Sequence, residues 1–238
     1  MTRLFQSVVW REDPLRLLAR IPNWVYSVWV RTTYPFASIG HNVEFHHTWD
    51  FGRYAAHRVK LGDQIFIGKD VHFGVYCPNG EKGNPMLVIE DGSAIHRRSQ
   101  ISARNYIHIE RDVIMGPAAL VMDHNHEYGD VTRPIKGQGV SKGGKIRIEQ
   151  GCWIGHGAAI VCSQGDLVLG RNSVVAANAL VTRSFPPYSV VVGNPARLAK
   201  QFDPIRGIWI GGSGRPASDD AADRESGRVY GAIANDKR

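Results

Sequence analysis

Apolar residues recur every six positions through the middle of the chain: Ile109, Met115 and Val121, then Ile148, Ile154 and Ile160, then Leu169, Val175 and Val181. A step of six is neither the 3.6 of a helix nor the 2 of a flat strand. It is the step of a chain wound into a triangular prism, with one short strand per face and three hexapeptides per turn. Leu61, Ile67 and Phe73 carry the same spacing earlier, each followed by glycine, and Ile89, Ile95, Ile101 and Ile107 continue it. The repeat begins at Ile39-Gly40 and stops after Pro186-Pro187.

A second regularity supports the first. The residue four places after the apolar one is small or β-branched at Val71, Ser93, Ser99, Val113, Ala119, Cys152, Ala158, Ser173 and Ala179. In a prism that residue points inward near a corner, where only a small side chain fits. The predicted architecture is all-β: a parallel β-helix over 39–188 in which each coil bonds the next. Residues 1–38 do not repeat and predict a helical cap of one or two short helices within Pro14–Arg31, broken at Pro22. Residues 189–203 predict a turn through Gly193-Asn194-Pro195 and a short C-terminal helix, followed by a disordered tail over 204–238.

Two stretches break the period. Residues 127–147, rich in Gly, Lys and Arg, predict a protruding loop, and a loop this long inside a compact domain is usually functional. Ile160 to Leu169 spans nine residues instead of six, so Ser163 to Asp166 must bulge outward. A further excursion at 76–86 carries Pro-Asn-Gly and Gly-Asn-Pro turn signals. The first break begins beside Asp123-His124-Asn125-His126.

Composition changes this picture little. Hydrophobic residues at 43% and charged residues at 21% describe an ordinary globular protein. A net charge of +7 points to an anionic partner, a phosphorylated small molecule or a membrane surface, and no nucleic-acid-binding signature accompanies it. The three cysteines are too few and odd in number for a disulfide framework, which favours a reducing cytoplasm. No signal peptide and no spanning stretch are expected. Trp24, Tyr26 and Trp29 with the neighbouring arginines have two readings: they cap the open prism end, or they form a peripheral surface at the inner face of a membrane.

The run from His126 through Cys152-Trp153-Ile154-Gly155, Val174 to Ala177, Val181-Thr182-Arg183 and Val192-Gly193-Asn194-Pro195-Ala196 resembles the hexapeptide-repeat O-acetyltransferases. It looks most like the branch with the maltose, galactoside, nodulation-factor and surface-polysaccharide sugar acetyltransferases. The resemblance covers roughly 39 to 201. It implies a left-handed parallel β-helix, acetyl-CoA as donor with no metal required, a sugar or glycan hydroxyl as acceptor, and a homotrimer with its site between neighbouring prisms. It places His126 as the general base, with His124 as the other candidate, and Trp153 against the acceptor. It places Gly155, His156 and Ala177 on the pantetheine arm, and Thr182, Arg183 and Arg197 toward the nucleotide.

The chemistry suits those residue types. A sugar hydroxyl is a poor nucleophile near neutral pH and gains from a base that takes its proton as the ester bond forms. Imidazole is the natural group. Asp123 is a candidate for holding an imidazole in the useful tautomer, and equally for turning a corner. Glu127 and Asp130 are weaker candidates. A backbone N–H near Gly155 or His156 would meet the developing oxyanion. Cys162 reads as packing, since no basic partner is assignable. Two other classes compete: a zinc carbonic anhydrase using histidines among His72, His96, His124, His126 and His156, and a non-enzymatic scaffold whose Trp-rich N-terminus is the working surface.

Overall fold

The computed structural model describes residues 20–77 and 83–211. The predicted helical residues 14–19, the tip of the 76–86 excursion and residues 212–238 of the predicted tail lie outside the described residues.

The prism is present, and the hexad step maps onto it face by face. The first face stacks Ser38–Ile39, Val59–Leu61, Leu87–Ile89, Tyr106–Ile109, Lys145–Ile148 and Asp166–Leu169. The second begins Glu44–Phe45, Phe66–Ile67, Ala94–Ile95, Ile114–Met115, Trp153–Ile154 and Val174–Val175. The third stacks Asp50–Phe51, His72–Val75, Gln100–Ala103, Leu120–Met122, Ala159–Val161 and Leu180–Val181. Every pairing between coils is parallel.

The core follows from the register. Met115 stacks on Ile154 and Ile154 on Val175, while Val121 stacks on Ile160 and Ile160 on Val181, all fully buried. Each offset-four residue is also buried. The serines among them satisfy corner carbonyls: Ser93 Oγ donates to Glu110 O at 3.0 Å and Ser99 Oγ to Gly116 O at 2.9 Å. A buried hydroxyl is thus retained with a partner instead of an orphaned corner carbonyl. Gly155 shows how tight these corners are. A Cβ there would stand 2.7 Å from both Ala177 N and Val175 O, a contact that backbone atoms cannot relieve.

Helix α1 spans Ile21–Thr33 and closes the first coil. Ser27 Oγ accepts from Phe45 N at 2.8 Å, and Asn23 Oδ1 accepts from His47 N at 3.0 Å, so the helix satisfies edge donors that the first coil would otherwise leave bare. The described helix starts at Ile21-Pro22, and the predicted helical residues 14–19 before it lie outside the described residues. Proline lies in the first turn, where its missing N–H has no intrahelical acceptor to lose. An aromatic cluster of Phe45, Trp49, Phe51 and Phe73 fills the end beneath it.

Three boundaries differ from expectation. The protruding loop ends at 144, because Lys145–Ile148 is already a first-face strand with Ile146 and Ile148 buried. The predicted C-terminal helix is instead an antiparallel ribbon. Ser189–Val192 continues the second face, Arg197–Asp203 returns against it through the expected Gly193–Pro195 turn, and Ile208–Gly211 pairs in turn. The predicted tail therefore starts no earlier than 212. The physical reason is an edge: the last coil presents unpaired backbone, and a returning strand covers it. Leu198 packs on the core while Arg197 and Ala199 face out, a period of 2 and not 3.6.

Candidate active site

The tetrad lies at the corner between the third and first faces. The third-face strand ends at Met122, the chain leaves the coil, and Lys145 resumes it. Gly144 N donates to Asp123 O at 2.6 Å, so the two ends of the loop meet. The returning segment lines up against the tetrad: Ser141 N donates to Asn125 O at 2.8 Å, Asn125 N to Ser141 Oγ at 3.1 Å, and Glu127 N to Gly139 O at 3.0 Å. A single bridge joins His126 to Val140.

Asp123 anchors the corner. Its side chain is fully buried, and its carboxylate accepts from Arg104 N and Asn105 N at 2.8 Å each. Those two amides belong to the turn of the preceding coil. The same carboxylate lies 2.9 Å from His124 Nδ1, whose ring is 14% exposed. With Nδ1 donating to Asp123, Nε2 of His124 is left as an acceptor. The one carboxylate thus contacts both the backbone of the neighbouring turn and an imidazole ring. His126 is exposed at the mouth of the loop. Glu127 and Asp130 are exposed as well, and Asp130 caps its own turn through Thr132, whose N–H and hydroxyl hold its carboxyl below the usual range.

Sequence reasoning missed Arg104, Asn105 and Tyr76. Arg104 lies 3.8 Å over the Tyr76 ring, and its backbone N–H binds Asp123. Backbone donors carry no side-chain signature, so only the coil spacing above Asp123 could have pointed to them.

A different corner collects most of the predicted donor-binding residues. Gly155 and His156 end the second-face strand of one coil, Ala177 occupies the equivalent place one coil on, and the Gly193–Arg197 turn follows it. The Gly155 N–H donates to Val175 O at 2.7 Å, so it cannot serve the oxyanion. His156 and Ala177 are exposed there. Thr182 and Arg183 instead follow the last third-face strand, on the same edge as the tetrad, with Arg183 5.3 Å over the Phe185 ring. Trp153 lies on the outer second face, 43% exposed, between Ile114 and Val174. Within one chain the tetrad and the Gly155–Arg197 edge are thus a whole face apart.

Neither Cys152 nor Cys162 has the setting of a nucleophile. Burial pushes the Cys152 thiol up to about 12, and it donates to Gly170 O at 3.2 Å. Cys162 is raised by burial too and donates to Gln164 O at 3.3 Å in the predicted bulge. The carbonic anhydrase alternative finds no support: among the described residues no three His, Cys, Asp or Glu side chains are grouped to hold a metal ion. His72 pairs with Asp50 at 2.8 Å, and His96 packs 5.9 Å from Phe66.

No family model matches the chain. Curated relatives do. A provisionally named acetyltransferase of Mycobacterium tuberculosis is 31% identical over 138 residues, which is 58% of this chain but 44% of the relative. The chain thus spans under half the length of that protein. A provisionally named lipopolysaccharide biosynthesis O-acetyl transferase, WbbJ of Escherichia coli, is 22% identical over 157 residues, covering 63% of this chain and 79% of the relative. Among solved structures, the N-acyltransferase AntD of Bacillus cereus, crystallised with dTDP and coenzyme A, aligns with a TM-score of 0.59. That match covers 76% of this chain and 90% of AntD at 16% identity, which establishes a shared fold.

Proposed function

We propose that this chain transfers an acetyl group from acetyl-CoA to a hydroxyl of a sugar, in the building of a surface glycan, with an imidazole of the tetrad as general base. The carrying observation is the corner itself: a fully buried carboxylate, held by two backbone amides, fixes the point from which His126 emerges into solvent. The naming of its relatives as acetyltransferases and of WbbJ as an O-acetyl transferase of lipopolysaccharide biosynthesis supports the same reading. So does the coenzyme A bound to AntD.

The reaction then runs as follows. The sugar O–H gives its proton to His126 as the oxygen attacks the thioester carbonyl. The tetrahedral oxyanion meets a backbone N–H, for which His156 is the candidate once the Gly155 amide is taken by Val175. The C–S bond breaks, and the imidazolium returns the proton to the departing CoA thiolate. No metal is needed for these steps. The separation of the tetrad from the Gly155–Arg197 edge supports a C3 homotrimer, in which the corner of one copy faces that edge of the next. Three free, buried thiols fit a reducing, cytoplasmic setting.

One observation favours a second assignment of the base. His124 has the oriented Nδ1–carboxylate contact that His126 lacks. Release of CoA thiol from acetyl-CoA, followed with a panel of free and nucleotide-linked sugars, decides both matters. Turnover with a sugar and its loss in His126→Ala supports the reading. Full activity in His126→Ala with loss in His124→Ala transfers the role, and no turnover with any acceptor overturns the function.

A further inference from the structure

Helix α1 has two faces, and only one belongs to the prism. Ser27 and Val30 are buried against the first coil, and burial between the helix and Tyr34 pushes the Tyr26 phenol up to about 12. The opposite face carries Ile21, Trp24, Val25, Val28 and Trp29, which are 53%, 70%, 53%, 45% and 47% exposed. Their positions are i, i+3, i+4, i+7 and i+8, a continuous apolar stripe along one side of a helix. A capping helix on a globular domain would turn that stripe inward. Here it is turned out.

We propose that this stripe rests on an anionic membrane surface, with α1 lying in the interface plane. Charge decides the occupant. Arg20 and Arg31 flank the stripe at its two ends, and α1 contains no acidic residue. A second copy docking through the same stripe would bring two Arg31-bearing helices together with no carboxylate on either helix to offset the charge. A surface of anionic headgroups complements the positive end of the helix. The first 31 residues hold five arginines against Glu12 and Asp13, so this end of the chain supplies a surplus of three positive charges out of the net +7.

The apolar residue types fit the same partner. Two tryptophans on one side of a short helix favour the boundary between headgroup and acyl chain, where the indole ring is buried and its N–H stays wet. Length excludes spanning. Thirteen residues make a helix about 20 Å long, short of the roughly 30 Å hydrocarbon core. No helix among the described residues is long and apolar enough to cross a membrane. The prism is attached through Asn23 and Ser27, on the other side of α1, so the coils would project away from the bilayer. An acceptor carried on a lipid would then be delivered to the same surface that holds the enzyme. That consequence rests on the proposed activity; the membrane contact does not.

Flotation of the full chain with vesicles tests it. The vesicles are phosphatidylcholine alone, or phosphatidylcholine with a quarter phosphatidylglycerol, at low and at physiological salt. The expected result is flotation with the anionic vesicles, weakened by salt, and at least a tenfold loss of bound protein in Trp24→Gln/Val28→Gln. Both side chains face outward, so that variant keeps the wild-type melting temperature. Arg20→Gln/Arg31→Gln should weaken binding to the anionic vesicles without changing the melt. The proposal is overturned if the wild-type chain does not float, or if Trp24→Gln/Val28→Gln floats equally well. It is also overturned if that variant instead breaks an oligomer in gel filtration, because a second copy would then be the occupant. None of these readouts uses catalysis, so failure of the membrane contact and failure of the acetyl-transfer reading are distinguishable.

Discussion

Two corners of the same prism obey different rules. Along the corner between the second and third faces the repeat runs without interruption from Gly116 through Gly155 to Ala176, and each position is dictated by the coil above or below. Gly155 is glycine because the next backbone leaves no room for Cβ, and its N–H is spent on Val175 O. Along the corner between the third and first faces the repeat is interrupted after Met122, and the residues there answer to one another instead. Asp123 gathers Arg104 N, Asn105 N and His124 Nδ1 onto one buried carboxylate. A regular corner can offer a ligand little beyond backbone and small side chains. An interrupted corner can hold a charged group, an imidazole and a loop, and the proposed proton transfer is assigned there for that reason.

The sharpest way to break this contrast is at the imidazoles. His126→Ala is expected to lower kcat/KM for sugar acetylation by about 100- to 10,000-fold, the usual span for a general base, while leaving the thermal melt unchanged because the ring is exposed. The comparison with His124→Ala in the thiol-release assay separates chemistry from orientation. A smaller loss with an altered pH profile marks His124 as a positioning residue. A loss equal to that of His126→Ala makes the two rings one unit.

Next in size is the anchor. Asp123→Ala leaves the Arg104 and Asn105 amides without their carboxylate acceptor, a cost of about 3 kcal/mol, while the backbone contact that joins the loop ends is kept. Asp123→Asn keeps an acceptor oxygen and should recover part of that. Urea unfolding reads both. On the regular side, Ile154→Ala should cost about 2–5 kcal/mol from cavity formation alone, with no preferential effect on the chemical step. If Ile154→Ala proved milder than Asp123→Ala by several kcal/mol, the interrupted corner would be the stiffer of the two.

Legibility in the sequence divides along the same line. The hexad isoleucines and their offset-four partners predicted every face, because steric demands repeat and a repeated demand leaves a periodic trace. Ser93 and Ser99 were legible as small residues, though their hydrogen bonds to Glu110 O and Gly116 O were not. Asp123 was legible as a candidate, but its strongest partners are backbone amides of Arg104 and Asn105, which any residue type would supply. The C-terminal ribbon was misread as a helix because edge protection is a property of the finished prism. Leu198 and Phe202 fit a helical spacing as readily as a strand one.

A smaller test uses alkali. Burial raises Cys152 from its ordinary thiol value to about 12 and Tyr26 from 10.0 to about 12. Both groups hold their protons more tightly in the folded state. The stability they contribute is present below the unfolded values and is lost as pH rises toward 12. The melting temperature should therefore begin to fall above about pH 9, where the unfolded thiol starts to ionise. Cys152→Ala should flatten the curve between about pH 9 and 10 and leave the steeper part, to which Tyr26 contributes. A curve unchanged by Cys152→Ala would remove the thiol from the account.

On the proposed activity, the smallest expected effect asks which edge would carry the nucleotide end of acetyl-CoA. Arg197 continues the edge that holds His156 and Ala177, whereas Arg183 lies across the third face, on the tetrad's own edge, over Phe185. Both are exposed, so each phosphate contact should be worth about 1 kcal/mol, roughly fivefold in affinity. If the cofactor runs along the uninterrupted corner, Arg197→Gln raises KM for acetyl-CoA by about that factor at unchanged kcat, and Arg183→Gln leaves it alone. In a trimer the cofactor can also lie between two copies, with the pantetheine on one chain's His156 edge and a phosphate near the neighbour's tetrad edge. Equal increases in KM for the two variants would then be expected, and the double variant should show the product of the two factors. An effect of Arg183→Gln alone would move the nucleotide to the interrupted corner and leave the regular one as pure scaffold.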